Sequence, residues 1–259
     1  MKTKRYHAAI ALFTLTSSAL AGTSDPLEPT ITTPAADDWE FRVGLPLWAS
    51  GLEGDTGVLG LANPVDVGFD DILSRLDMVA ALSFEARKGR LAFISSFLYI
   101  NISDAADTPG PLLTSIDLDI KQLLVDAAVS YAVVDDPGFR MEALIGARYN
   151  SIDIDFKANR SNGGNINTSS ENDWVDPYIG IQTRTRLNES LDLIVKGDIG
   201  GFDVGSELTW QAYAGLEYQF PNSMYAALGY RALSVDYSSG GFTYDMVTSG
   251  PQIEFGMKF

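Results

Sequence analysis

The 259 residues contain no cysteine. Disulfides, thiolate metal sites and cysteine nucleophiles are thereby excluded. The single histidine is His7, close to the start of the chain. Positive charge is scarce: 18 Lys and Arg stand against 34 Asp and Glu, a formal charge of -16. Binding a phosphate backbone needs clustered Lys and Arg, so nucleic acid is not an expected partner. No apolar run reaches the roughly 18 residues that a membrane-crossing helix requires. What is present suits a folded chain, with 46% apolar and 20% charged residues, too apolar a mixture to stay disordered.

The first residues carry their own explanation. Lys2, Lys4 and Arg5 give a positive start, Ala8 to Leu15 an apolar core, and Ala19-Leu20-Ala21 a small-x-small cleavage pattern. Residues 1–21 therefore read as a secretory signal peptide, too short for an anchor. Its removal takes His7 with it. Residues 22–37, rich in Thr, Pro, Asp and Ala, have no periodicity and read as a flexible lead-in.

From residue 38 to 259 the dominant period is two. Trp39, Phe41, Val43, Leu45 and Leu47 alternate with Glu40, Arg42 and Gly44. Leu208, Trp210, Ala212, Ala214, Leu216, Tyr218 and Phe220 oppose Thr209, Gln211, Glu217 and Gln219. Each is a strand with one apolar face. About ten such segments are expected, near 38–48, 76–88, 90–103, 114–133, 139–156, 174–187, 191–200, 207–220, 224–237 and 243–259. No comparable helix separates them, which excludes a parallel α/β fold. Tight turns at Lys88-Gly89-Arg90, Asp135-Asp136-Pro137-Gly138, Asn188-Glu189-Ser190 and Pro221-Asn222-Ser223 alternate with longer links at 49–75, 104–113, 157–173, 201–206 and 238–242. A barrel with both ends on one side requires that order, short turns below and long loops above.

In this architecture residues 38–259 resemble the small outer-membrane β-barrels of Gram-negative bacteria. The alternating terminus Ile253-Phe255-Met257-Phe259 adds to the likeness. The resemblance implies an all-β, transmembrane, antiparallel up-and-down β-barrel of about ten strands, with short periplasmic turns and longer extracellular loops. It implies residence in the cell outer membrane, contact with lipid and lipopolysaccharide, and an assembly signal, Phe255 and Phe259, read by the barrel-assembly machinery.

In such a barrel the apolar face meets lipid and the polar face lines the lumen. The expected lumen charges are Arg42, Glu85, Arg87, Asp126, Glu142, Arg148, Arg184, Arg186, Lys196, Glu217 and Arg231, with Asp77, Asp198 and Glu254 beside them. Both signs occur, so two readings stand: a paired network that fills a narrow barrel, or a path for a charged solute. Towards the long loops the polarity inverts, with parity kept and no bulge expected. Leu98, Ile100, Ile102, Ile116, Leu118, Ile120, Ile152, Ile154, Phe156, Leu233, Val235 and Tyr237 fall on the inner face there, and Asp117, Asp119, Asp153 and Asp155 on the outer. Tyr99, Tyr149 and Tyr230 precede the inversion, where an interfacial girdle belongs. A short helix near 70–76 is expected to fold into the mouth and lay Phe69, Ile72 and Leu73 over the inverted residues. The rival reading of the same residues is a pocket for a small apolar ligand.

Without cysteine or a mature histidine, Ser-His, Cys-His and His-metal chemistry are excluded, and enzymatic activity is not expected. No phosphate-binding glycine motif is present, and no cofactor is expected. Counting from the turn at 135–138 places Asp117 near Asp155 and Asp119 near Asp153. That arrangement reads either as a weak oxygen-ligand site for Ca²⁺ or Mg²⁺ or as a solvated acidic rim.

Overall fold

Successive side chains of a strand point to opposite faces, so ten alternating segments must either stack as two sheets or close as one. In the computed structural model, which describes residues 38–58, 61–107, 113–160 and 165–259, the sheet closes. The expected signal segment and lead-in lie outside the described residues. The strands are β1 (Trp39–Trp48), β2 (Gly51–Val58), β3 (Leu61–Val67), β4 (Leu76–Lys88), β5 (Leu91–Asp107), β6 (Leu113–Asp136), β7 (Phe139–Arg160), β8 (Asn165–Arg186), β9 (Leu191–Gly201), β10 (Leu208–Gln219), β11 (Met224–Ser239) and β12 (Phe242–Lys258), with one helix, α1 (Phe69–Ser74). Ten of them, β1 and β4 to β12, pair antiparallel in chain order, and β12 returns to β1. The β2–β3 hairpin adds to the outer half of β12.

The outer surface is apolar in a band. Leu45, Leu47, Phe93, Val129, Ile145, Ile179, Val195, Leu216, Leu228 and Phe255 are all exposed on it. On β6 the outward residues stay apolar from Leu123 to Val133 and then turn to Lys121 and Asp119. That span fits the roughly 9–11 residues a tilted strand needs to cross the hydrocarbon. Exposed Trp39, Tyr131, Phe139, Tyr218, Phe220 and Phe259 gather at the end carrying the C-terminus, and Tyr230 and Trp210 stand nearer the other. This is an outer-membrane-type β-barrel with an aromatic belt at each interface.

The longer links differ from expectation. Above the apolar band most of their length is paired strand, because the backbone ladder does not need lipid to continue. β6 has 24 residues and β7 and β8 have 22 each, whereas β9 and β10 have 11 and 12. The rim is therefore tall on one side and low on the other. The link at 238–242 reduces to Gly240-Gly241, both with positive φ, 58° and 88°. Residues 49–75 form β2, β3 and α1 rather than an open loop.

Register also departs from the count made on the sequence. Asp135 and Asp136 belong to β6, and the turn is Pro137-Gly138 alone. A bulge between Ala132 and Val134 follows. Asp119 thus faces Asp155, while Lys157 faces Asp117 and Lys121 faces Asp153. Parity is not kept everywhere either. A bulge between Leu76 and Met78 turns Asp77 away from the lumen, and the Ser103 hydroxyl donates to its carboxylate.

The low side of the rim is pinned by Asp176. Its fully buried carboxylate accepts from Ser206 N at 2.6 Å, Ser206 Oγ at 2.8 Å, Trp174 Nε1 at 3.1 Å and Asn150 Nδ2 at 3.2 Å. These bonds hold a turn in which Phe202 and Asp203 take left-handed backbone, φ 52° and 59°, a conformation unfavourable for side-chain-bearing residues. Asp176→Ala should remove the pin at a cost of about 1.5–3 kcal/mol. Amide exchange in residues 202–207 should rise, with the rest of the barrel unchanged. Equal protection in the variant would show that the turn holds itself.

Candidate functional site

The inward faces of the ten strands meet in a narrow lumen, and charge of both signs projects into it. At the terminal end the hub is Glu217 on β10, 1% exposed. It takes Arg42 at 2.5 Å, Arg184 at 2.8 Å and Lys258 at 3.2 Å, cations from three other strands. Arg87 bonds Glu85 at 2.5 Å and also Glu142, which holds Arg140 at 3.0 Å. Arg184 reaches Asp192 at 3.1 Å. Arg186 is the outlier: its side chain is 60% exposed and 4.0 Å from Asp192, at the rim rather than in the lumen.

A second layer lies higher. Arg148 on β7 has no exposed surface. It donates to Asp126 at 2.8 Å, to Asp198 at 2.9 Å and to Thr209 Oγ1 at 3.1 Å, and its guanidinium lies 5.1 Å from the Tyr178 ring centre. Gln211 bridges onward, donating to Asp198 at 3.1 Å and accepting from Arg231 Nε at 2.8 Å. Arg231 covers the Trp48 ring at 4.5 Å. Between the layers is a cavity of about 180 Å³ whose wall includes Lys196, Tyr213, Tyr225, Glu254 and Gln252.

Above Arg148 the lumen fills with apolar side chains. Leu124, Ile152, Trp174, Leu233, Val235, Tyr237, Phe242, Tyr244 and Met246 form one buried cluster, edged by Trp48, Leu52, Val65, Leu98 and Ile154. Trp174 on β8 stacks on Tyr237 of β11 with ring centres 3.9 Å apart and planes 6° apart. The stack spans the gap left by the short β9 and β10. Burial pushes the Tyr244 hydroxyl up to about 12, although the Gln122 amide, 3.5 Å away, donates to it. On the outer side, burial beside Asp245 and Glu207 raises the Asp236 carboxyl above its ordinary range.

The inverted residues thus divide. Ile152, Leu233, Val235, Tyr237, Leu98 and Ile154 meet in the cluster, and Ile100, Ile102 and Ile120 are half-buried beyond it. The side chains of Ile116, Leu118, Asp117 and Phe156 lie outside the described ones. The expected cover is corrected. α1 forms at Phe69–Ser74 but buries none of its residues, and Phe69 and Leu73 are exposed, 39% and 53%. Leu52 and Val65 of the β2–β3 hairpin edge the core instead. A hairpin in register with β12 satisfies its backbone and sets alternate residues inward, whereas six helical residues have too little apolar face to compete. Five other members, Leu124, Trp174, Phe242, Tyr244 and Met246, escaped the sequence reading, although the alternation of Phe242, Tyr244 and Met246 with Thr243, Asp245 and Val247 carried the signal. Of the four outer aspartates the side chain of Asp117 is outside the described ones; among the described residues no metal-binding group of three acidic or histidine side chains occurs. Phe255 and Phe259 lie exposed on the outer face of β12, and Phe259 exchanges backbone bonds with Phe41.

No family model matches the chain, and no curated protein does. Solved structures do align with it. The attachment invasion locus protein Ail of Yersinia pestis aligns over 86% of this chain and 99% of its own, at 10% identity and TM-score 0.36. The monoaromatic hydrocarbon channel CymD aligns over 86% and 88%, at 12% identity and TM-score 0.35. The toluene transporter TodX of P. putida aligns over 85% and 89%, at 11% identity and TM-score 0.31. The likeness is one of barrel architecture at low TM-scores and says nothing of solute or partner.

Arg148→Met should leave Asp198 buried without its cation and Asp126 with only Arg231 at 3.7 Å, at a cost of about 3–5 kcal/mol in urea unfolding from lipid vesicles. An unchanged midpoint would mean that water already shares the site. The Asp236 shift sets a second expectation. A carboxyl whose pKa is raised on folding favours the folded rim fully below its unfolded value, about 3.9, and loses that contribution as pH rises through the raised folded value. Amide exchange at the outer end of β11 should therefore quicken with rising pH across that window beyond the intrinsic rate, and Asp236→Asn should abolish the excess.

Proposed function

We propose that this chain is a non-catalytic outer-membrane barrel that keeps its lumen shut and presents a tall, acidic β-rim to the outside. The observation that carries the reading is Arg148, wholly buried and shared between Asp126 on the adjacent strand β6 and Asp198 on β9, two places away in the wall. A wet pore exposes its charges, whereas this one spends them on each other. Above that layer an axial solute would also have to part the Trp174–Tyr237 stack. The mouth residues once open to a pocket reading are filled by one another.

The non-catalytic part of the proposal has its own support. General acid or base work needs a carboxyl with capacity to spare. The buried acids are committed: Asp126 and Asp198 to Arg148, Glu142 to Arg87 and Arg140, Asp192 to Arg184, and Glu217 to three cations, while Asp176 takes its four donors from uncharged groups. The apolar band and aromatic belts support contact with lipid and lipopolysaccharide. The exposed Phe255 and Phe259 support recognition by the barrel-assembly machinery.

Three measurements test this reading. The protein should fractionate with outer membranes and migrate faster on gels before heating than after. In planar bilayers it should show no steady ohmic conductance, and stable open steps in the wild type would overturn the closed lumen. A membrane-impermeant label should reach a cysteine placed at Gly240 in intact cells and miss one at Asn188. The reverse pattern would invert the topology.

A further inference from the structure

Pro46 stands where the barrel wall comes apart inside the lipid-facing band. Phe41 and Phe259 exchange backbone bonds of 2.7 and 3.0 Å, and Ala49 N donates to Pro251 at 2.9 Å. Alternate residues of an antiparallel strand turn both polar groups to the same neighbour. Odd-numbered residues of β1 therefore serve β12, and even-numbered ones serve β4. Pairing with β4 runs from Trp39 opposite Lys88 to Gly44 opposite Ser83 and stops there. The next even residue is Pro46, facing Ala81, and it has no N–H to give. Beyond it β1 stays with β12 and runs on in the same register as β2, while β4 stays with β5.

Two strand edges are left facing each other. Exposed Leu45 and Leu47 flank one, and exposed Val79 and Leu82 the other. In hydrocarbon no water serves an open edge, so barrels ordinarily close there. Behind this seam is a slot of about 10 Å³ walled by Pro46, Trp48, Ala81, Leu98, Leu124 and Gln252 among others. It is water-sized and holds two buried polar atoms without a partner, the donor Trp48 Nε1 and the acceptor Gln252 Oε1. Gln252 is 8% exposed, and the two residues sit opposite each other in the β1–β12 ladder. A hydroxyl group both donates and accepts, so one hydroxyl satisfies both atoms. The slot shares Pro46, Ser96, Arg231 and Gln252 with the lumen cavity of about 180 Å³. Along the axis, the ion pairs of Glu217 and of Arg148 lie on either side of that cavity.

We infer that the seam is a lateral port, through which a small apolar molecule bearing one hydroxyl enters the barrel from the outer half of the lipid layer, its hydroxyl held by Trp48 and Gln252. The inference rests on the membrane placement proposed above but not on the surface role, and gel migration before heating reports the placement separately.

The test uses the protein folded into dimyristoylphosphatidylcholine vesicles with 1-naphthol as probe and naphthalene as the control without a hydroxyl. Wild type should bind naphthol at least five-fold more tightly than naphthalene. Trp48→Phe keeps the ring under Arg231 and should erase that preference. Pro46→Thr restores the donor, and should protect the Ala81 amide from exchange and slow naphthol entry at least ten-fold. Leu45→Cys with Leu82→Cys places a disulfide across the seam in a chain with no other thiol; oxidation should block entry and reduction restore it. The inference is overturned if Trp48→Phe retains the preference. It is overturned equally if naphthol enters the oxidised pair, or correctly folded Pro46→Thr, at the wild-type rate.

Discussion

The rest of the lumen is organised around one cation, Arg148. A guanidinium removed from water is tolerated only where carboxylates and further acceptors surround it, because the desolvation cost in a low dielectric exceeds what a single poorly placed partner returns. Here Asp126 comes from the adjacent β6, but Asp198 comes from β9 and Thr209 from β10, so the charge ties β7 to strands that are not its neighbours in the wall. The ladder fixes each strand against the next, and the ion pairs fix the barrel across its diameter. Glu217 does the same lower down with cations from β1, β8 and β12.

Two solvents divide the outer surface, and the inner surface answers them. Inside lipid the outer face must be apolar, and the lumen takes the polar side chains. Above lipid the outer face meets water, and the same strands with the same parity turn apolar residues inward. The Trp174–Tyr237 stack is the meeting point of that second core, formed where β9 and β10 are too short to separate β8 from β11. The wall is continuous through this change of role except beside Pro46, where a missing N–H ends one ladder while its neighbours persist.

Much of this was legible in the residues. The ten barrel strands, the position of each tight turn and the inversion of polarity all follow from a period of two read against the residue types. Misreadings arose where the outcome depends on a competitor. α1 has helical spacing at Phe69, Ile72 and Leu73, yet Leu52 and Val65 reach the core because their hairpin extends an existing ladder. The outer aspartates were misaligned by two positions because the turn at Pro137-Gly138 spends fewer residues than its composition suggests.

The sequence by itself determined which side chains face lipid and which face inward along each unbroken stretch of strand, since that needs only alternation; the bulge that turned Asp77 out of the lumen was not legible there. It determined that the lumen would hold charge of both signs. The tertiary structure alone decided which charges meet, because Arg148, Asp126 and Asp198 are separated by 22 and 50 residues and are brought together by strand stagger and barrel closure. It alone also gave Pro46 its meaning. A proline in a strand lacks one donor wherever it lies, and only the pairing of β1 with both neighbours shows that the lost bond belonged to β4.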